Sequence, residues 1–290
     1  MAKKRGACTL AIVNRRNSHI TNIVDGTFYT SDGRDIEMSV ASTKAFYSQV
    51  TAGELLVLGI AKTLNCLFER EITQRLLSLK ELPDLVKKVL DKKKEIEKIA
   101  DKWACKRQHW AIVGSGANNI AANEIRIKLS ELCYKSIACD FVEDKKHIDL
   151  SSEPMILICA AGSPSSILSD IIKDVAIFKA HNSIPIVITH EGEEGFAPYT
   201  DAVIKVPKAN ELSSLILNTL AGHLFGYYAA QIINEQGAFM AAFRAKLVTQ
   251  LTQYSPDQLL KKSDIQQSIK HFIKDFHYRR REGFFNSSLS

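Results

Sequence analysis

Apolar residues along this 290-residue chain fall into short unbroken runs separated by helical stripes. From Trp110 onward the alternation is regular. Trp110–Val113, Ser136–Cys139, Met155–Ala160, Pro185–Thr189 and Ala202–Val206 read as strands. Between and after them, Ala117–Tyr134, residues 167–181 and Glu211–Asn234 carry apolar residues at helical spacing. Strands that alternate with helices predict an α/β fold: a parallel sheet with helices on both faces, in three layers.

Upstream, Cys8–Val13 and Val24–Thr30 predict two more strands, and Ser42 is placed to cap a helix reaching about Leu64. Residues 68–104 form a long charged stretch interrupted at Pro83, in which Leu85, Val86, Val89, Ile96, Ile99 and Trp103 recur at helical spacing. Its lysines, Lys87, Lys88 and Lys92 to Lys94, are interleaved with Asp84, Asp91, Glu95, Glu97 and Asp101. That mixture predicts a solvated face, not a nucleic-acid stripe. Residues 236–290 read as a polar helical tail, with Ser255-Pro256-Asp257 as a helix start and a basic, aromatic end.

Composition narrows the choices further. An apolar share of 46% and a net charge of +6 exclude wholesale disorder. No apolar run approaches the ~18 residues of a membrane helix, and Met-Ala-Lys-Lys-Arg-Gly does not look like a secretion signal. The expectation is a cytoplasmic protein without membrane or nucleic-acid partners. Six cysteines without a C-x-x-C pair predict reduced core thiols, and the eight histidines show no H-x-x-x-H pair. Neither a metal nor a cofactor is expected.

In an open parallel sheet, ligands bind beyond the carboxyl ends of the strands. Three small-residue loops qualify: Gly114–Asn119, Ala161–Ser166 and the approach to Ser42. Each would offer free N–H groups at a helix start, which suits an anion. The helix 117–134 carries Glu124, Lys128 and Glu131 at i, i+4 and i+7. At 100° per residue they sit at about 0°, 40° and −20°, on one narrow face. Two carboxylates flanking an ammonium can move protons, and they can equally be a surface ion pair.

A family resemblance bears on that choice. Glu37-Met-Ser-Val-Ala-Ser-Thr-Lys-Ala-Phe46 resembles the E-I-G-V-A-S-T-K-A-F signature of the isomerase half of glutamine–fructose-6-phosphate aminotransferase, which is built from two SIS (sugar isomerase) domains. Gly114-Ser115-Gly116 resembles the family's G-R-G turn, and Lys146-His147 its K-H-G-P motif. The resemblance implies that Glu131 is the base moving a proton between sugar carbons, with Lys128 and Glu124 positioning the substrate. It implies ring opening by His147 in a neighbouring subunit's site, hence a dimer. It also implies substrate contacts at Val40, Ser42 and the Gly114–Gly116 turn, and an imine lysine at Lys246.

The same comparison predicts a partial first SIS domain (1–80), a helical connector (81–108), a complete second SIS domain (109–235) and a helical tail (236–290). It gives no counterpart to the glutaminase domain or to the main phosphate loop. Three readings therefore stand. One is a sugar-phosphate isomerase of the aminotransferase type, acting on a ketohexose or amino-sugar 6-phosphate. Another is a non-catalytic binding module or subunit fragment that needs a partner chain to complete it. A third is a gene fragment that does not fold stably, because truncating a parallel sheet exposes strand edges and apolar faces and risks aggregation.

Overall fold

A computed structural model describes residues 1–31 and 42–285 of the chain. The described residues form two compact units, 1–86 and 87–290.

In the first unit, strands β1 (Leu10–Val13) and β2 (Gly26–Tyr29) pair in parallel, Leu10 opposite Gly26 and Val13 opposite Tyr29. The Asp25 carboxylate pins the start of this ladder. It accepts from the Thr9 amide at 3.0 Å and the Thr9 hydroxyl at 2.8 Å, and pairs with Lys3 at 2.7 Å. Those partners hold its carboxyl at about 2. Helix α1 (Lys44–Thr63) follows, opening two residues past Ser42 with Thr43 at the cap position. Helix α2 (Glu69–Asp91) begins in this unit and carries the chain into the second.

A two-stranded parallel sheet cannot cover both of its own faces. Leu10, Leu55, Ile60 and Leu64 stay exposed and, with Phe28, line an open apolar groove of about 680 Å³.

The second unit contains α3 (Lys93–Trp103), β3 (Trp110–Gly114), α4 (Asn118–Cys133), β4 (Ile137–Asp140), α5 (Val142–Lys145), β5 (Met155–Cys159), α6 (Ser165–Ala180), β6 (Ile184–His190), β7 (Ala202–Val206), α7 (Glu211–Leu251), α8 (Pro256–Lys261) and α9 (Ser263–Arg281). All five strands are parallel, in the order β4-β3-β5-β6-β7. The predicted doubly wound sheet is therefore present, strand for strand. One face packs Val113, Ile156, Ile158 and Val187 against Leu168, Val175 and Phe178 of α6. The other carries α4 and α7, with the Trp110 and Phe225 rings 6.4 Å apart.

Three details differ from expectation. Pro83 does not interrupt its helix: α2 runs through it to Asp91. The ring lies exposed and removes a single backbone donor, while Ile72 and Val89 on either side are buried. Helix α7 continues past Asn234 to Leu251, because residues 235–251 contain no proline and many strong helix formers. Finally, the cysteines are not all core thiols. Cys105, Cys133 and Cys159 are buried, but Cys8 precedes β1 and Cys66 follows α1, and both are exposed. Burial pushes the Cys133 thiol up to about 12, which makes it a poor nucleophile. Ser255 does cap α8 as expected, in a capping box with Gln258.

Candidate functional site

The chain leaves β3 for β4 on one side, then crosses to β5 on the other. The topological switch point therefore lies between β3 and β5. Gly114 and Gly116 shape the turn there. A Cβ on Gly114 would lie 2.2 Å from the Asn118 carbonyl oxygen, and Gly116 has φ +60°. Ser115 donates to Glu143 at 3.4 Å. Asn118 ties this turn to the loop after β5, donating to the Ala161 carbonyl at 3.0 Å and to the Ser163 hydroxyl at 3.1 Å. Asn218 of α7 closes the network by donating to Asn118 at 2.8 Å and to the Ala161 carbonyl at 3.0 Å.

The ridge on α4 is assembled as the spacing predicts. Lys128 Nζ stands 3.5 Å from Glu124 Oε1 and 3.6 Å from Glu131 Oε2. The side chains of Glu124 and Lys128 are 12% and 9% exposed, that of Glu131 36%. Two members are thus part of the interior, and the third reaches solvent.

Their burial follows from α7. A Cβ on Gly222 would lie 2.4 to 2.9 Å from three Ile125 side-chain atoms, and one on Gly226 would lie 2.3 Å from Leu129 Cδ1. The two glycines, four residues apart, let α4 approach closely. That approach brings His223, beside Gly222, to Glu124, beside Ile125. His223 Nε2 lies 3.6 Å from Glu124 Oε1, and the imidazole is only 6% exposed.

Burial pushes the Glu124 carboxyl up, but His223 and Lys128 outweigh it, and the net shift is below the ordinary value of 4.5. A depressed carboxyl contributes stability above its unfolded pKa and loses it as pH falls through the folded one. The expected result is a Glu124 side-chain carbon titrating by NMR with a midpoint below 4.5, moving up in Lys128→Met. A wild-type midpoint at or above 4.5 would contradict the buried ion-pair geometry.

Sequence reasoning missed His223. It lies 99 positions from Glu124, and no periodicity links the two helices. The available signal was Gly222-x-x-x-Gly226, a small face on an otherwise apolar helix.

Within the second unit, other expected site residues stand apart from the ridge. The Gly114–Gly116 turn precedes α4, about 20 Å along the helix from Glu131 at ~1.5 Å per residue. His147 is exposed beyond the carboxyl end of β4, whereas Glu131 sits toward the opposite end of the sheet. Lys246 Nζ donates to Ser268 Oγ of α9 at 2.8 Å, and it lies about 35 Å along α7 from His223. Ser42 lies two residues before α1 in the first unit, and Val40 lies outside the described residues. Among the described residues no cluster of three metal-ligating side chains occurs, and no helix is long and apolar enough to cross a membrane.

A doubly wound, five-stranded parallel sheet with helices on both faces is the architecture of SIS-type sugar-isomerase domains. No protein-family model matches the chain. It is similar to the solved C-terminal domain of glucosamine-fructose-6-phosphate aminotransferase from Francisella tularensis, with a TM-score of 0.71 and 25% identity, over 80% of this chain and 65% of that one. Among curated proteins it is 30% identical over 229 residues to glutamine–fructose-6-phosphate aminotransferase [isomerizing] of Corynebacterium glutamicum, covering 77% of this chain and 36% of the relative. It is 31% identical over 235 residues to that of Mycolicibacterium paratuberculosis, covering 79% and 37%. The chain is homologous to the isomerase half of glutamine–fructose-6-phosphate aminotransferase. It spans little more than a third of the length of these curated relatives.

Proposed function

We propose that this chain binds a ketohexose or amino-sugar 6-phosphate and carries the proton-transfer chemistry of an aldose–ketose isomerase on helix α4. The observation that carries the reading is Lys128, an ammonium held between Glu124 and Glu131 with only Glu131 open to solvent. In this reading Glu131 takes the proton from the carbon next to the open-chain carbonyl. The C–H electron pair forms the enediolate C=C bond, and charge moves onto the carbonyl oxygen. Lys128 faces that charge, and Glu124 holds Lys128. The hydroxyl on the first carbon then passes its proton to the oxyanion, and its oxygen forms the new C=O bond. The C=C electron pair takes the proton back from Glu131 at the neighbouring carbon, which completes the isomerisation.

His147 keeps the ring-opening role, supplied from a second copy, because within one chain it stands at the other end of the sheet. Lys246, held by Ser268, takes no part in a single-chain site.

The test is solvent exchange. Fructose 6-phosphate incubated in deuterated water with the full chain is expected to gain deuterium at C1. Glu131→Gln should lower that rate at least ~100-fold. Because Glu131 is the exposed member, its melting temperature should stay close to wild type. Equal exchange in both proteins would remove Glu131 as the base.

The alternative, a binding module completed by a partner chain, is favoured by the open groove along Leu10, Phe28, Ile60 and Leu64. It predicts a thermal shift with fructose 6-phosphate but no exchange by the isolated chain.

A further inference from the structure

Lys128 pairs with Glu124 and Glu131 within α4, but the deepest partner of Glu124 belongs to another helix. His223 sits on α7, its side chain 6% exposed, with Nε2 3.6 Å from Glu124 Oε1. On α4 the charged groups facing this pair are Lys128, 3.5 Å from the same carboxyl oxygen, and beyond it Glu131. The packing of Gly222 on Ile125 fixes the separation of the two helices at this level. His223 therefore cannot drift from Glu124 without unpacking α7.

We propose that His223 is a positioning residue: its imidazole holds the Glu124 carboxylate in one rotamer, and through it the Lys128 ammonium, so that Lys128 is presented to the sugar beside Glu131. This rests on the isomerase reading and extends the α4 ridge to a second helix.

The arrangement has a chemical logic. A carboxylate with one oxygen facing two cationic or N–H groups is held at a fixed angle. A lysine left to a flexible glutamate would sample several rotamers, and it would lose the alignment that a developing enediolate needs. The imidazole is the polar group that α7 brings to the buried Glu124 oxygen, with Nε2 3.6 Å away. His223 does not itself touch the reacting carbons.

Two variants of the full chain test this. His223→Phe keeps the volume and removes the donor, and His223→Gln restores a donor. Three readouts are followed: folding by circular dichroism, the Glu124 side-chain carbon titration by NMR, and calorimetric binding of glucosamine 6-phosphate. The expected result is a folded His223→Phe protein with a raised Glu124 midpoint and binding weakened at least ~tenfold. His223→Gln should lie between it and wild type in both. An unchanged Glu124 midpoint in folded His223→Phe would overturn the proposal. So would a moved midpoint with unchanged glucosamine 6-phosphate affinity. If His223→Phe fails to fold, His223→Gln decides alone: a raised Glu124 midpoint with weakened glucosamine 6-phosphate binding supports the proposal, and wild-type values of either overturn it. If wild type itself binds no glucosamine 6-phosphate, the isomerase reading falls and the Glu124 titration alone decides whether His223 holds the carboxylate.

Discussion

Replacing Lys128 by Met is expected to destabilise the second unit by about 3 kcal/mol and to abolish any isomerase activity. The side chain fits, since Met has similar length and no polar group. What changes is the charge left behind. Glu124 is 12% exposed, and without the ammonium His223 is its one remaining partner among the described residues. Breaking a buried ion pair by removing one partner costs about 3–5 kcal/mol, because the remaining charge is neither solvated nor compensated. The lower end applies because Glu131, the other partner, can turn to water.

A double-mutant cycle separates this from lost packing. Glu124→Gln in the Lys128→Met background leaves no orphan charge, so the pair should cost at least ~1 kcal/mol less than the sum of the single changes. Urea unfolding of the four proteins measures it. A Lys128→Met protein within about 0.5 kcal/mol of wild type, the range of ordinary surface changes, would show the ammonium to be solvated and the ridge a surface feature.

Much of the second unit was legible because its signals are local. Met155–Cys159 is apolar at every position and buried at every position, as a central parallel strand must be. Ala202–Val206 forms a strand with the bounds its pattern predicts. The one-face placement of Glu124, Lys128 and Glu131 is likewise a property of a single helix.

What the pattern could not carry is the identity of the neighbour. Whether that face meets solvent or α7 depends on Gly222 and Gly226, nearly a hundred residues on, and His223 comes with them. Pro83 shows the converse error, in which a strong local breaker signal is overridden by buried residues on either side. The Lys246 position was reached from a resemblance alone. No local pattern foretold its hydrogen bond to Ser268, because that bond needs α9 to fold back along α7.

The α4–α7 approach gives the second large effect. Gly222→Ala is expected to destabilise the protein by about 2 kcal/mol, although alanine favours helix over glycine by roughly 1 kcal/mol. The new methyl would stand 2.4, 2.5 and 2.9 Å from Cδ1, Cγ1 and Cγ2 of Ile125. Ile125 is fully buried, and its β-branched side chain is confined to essentially one rotamer in a helix, so it cannot swing away. The helices must separate instead, and the pairing of Glu124 with His223 opens first. A compensating change should rescue it. Ile125→Ala alone opens a cavity and costs about 2–5 kcal/mol, but in Gly222→Ala it makes room for the added methyl. The combined variant should therefore be more stable than the sum of the two losses predicts, by at least ~1 kcal/mol. Thermal or urea unfolding gives the stabilities, and the Glu124 NMR midpoint reports the helix spacing independently. It should rise in Gly222→Ala and fall back in the double variant. Strict additivity of the two destabilisations would mean that Ile125 does not meet Gly222, and the geometry that buries Glu124 against His223 would lose its cause.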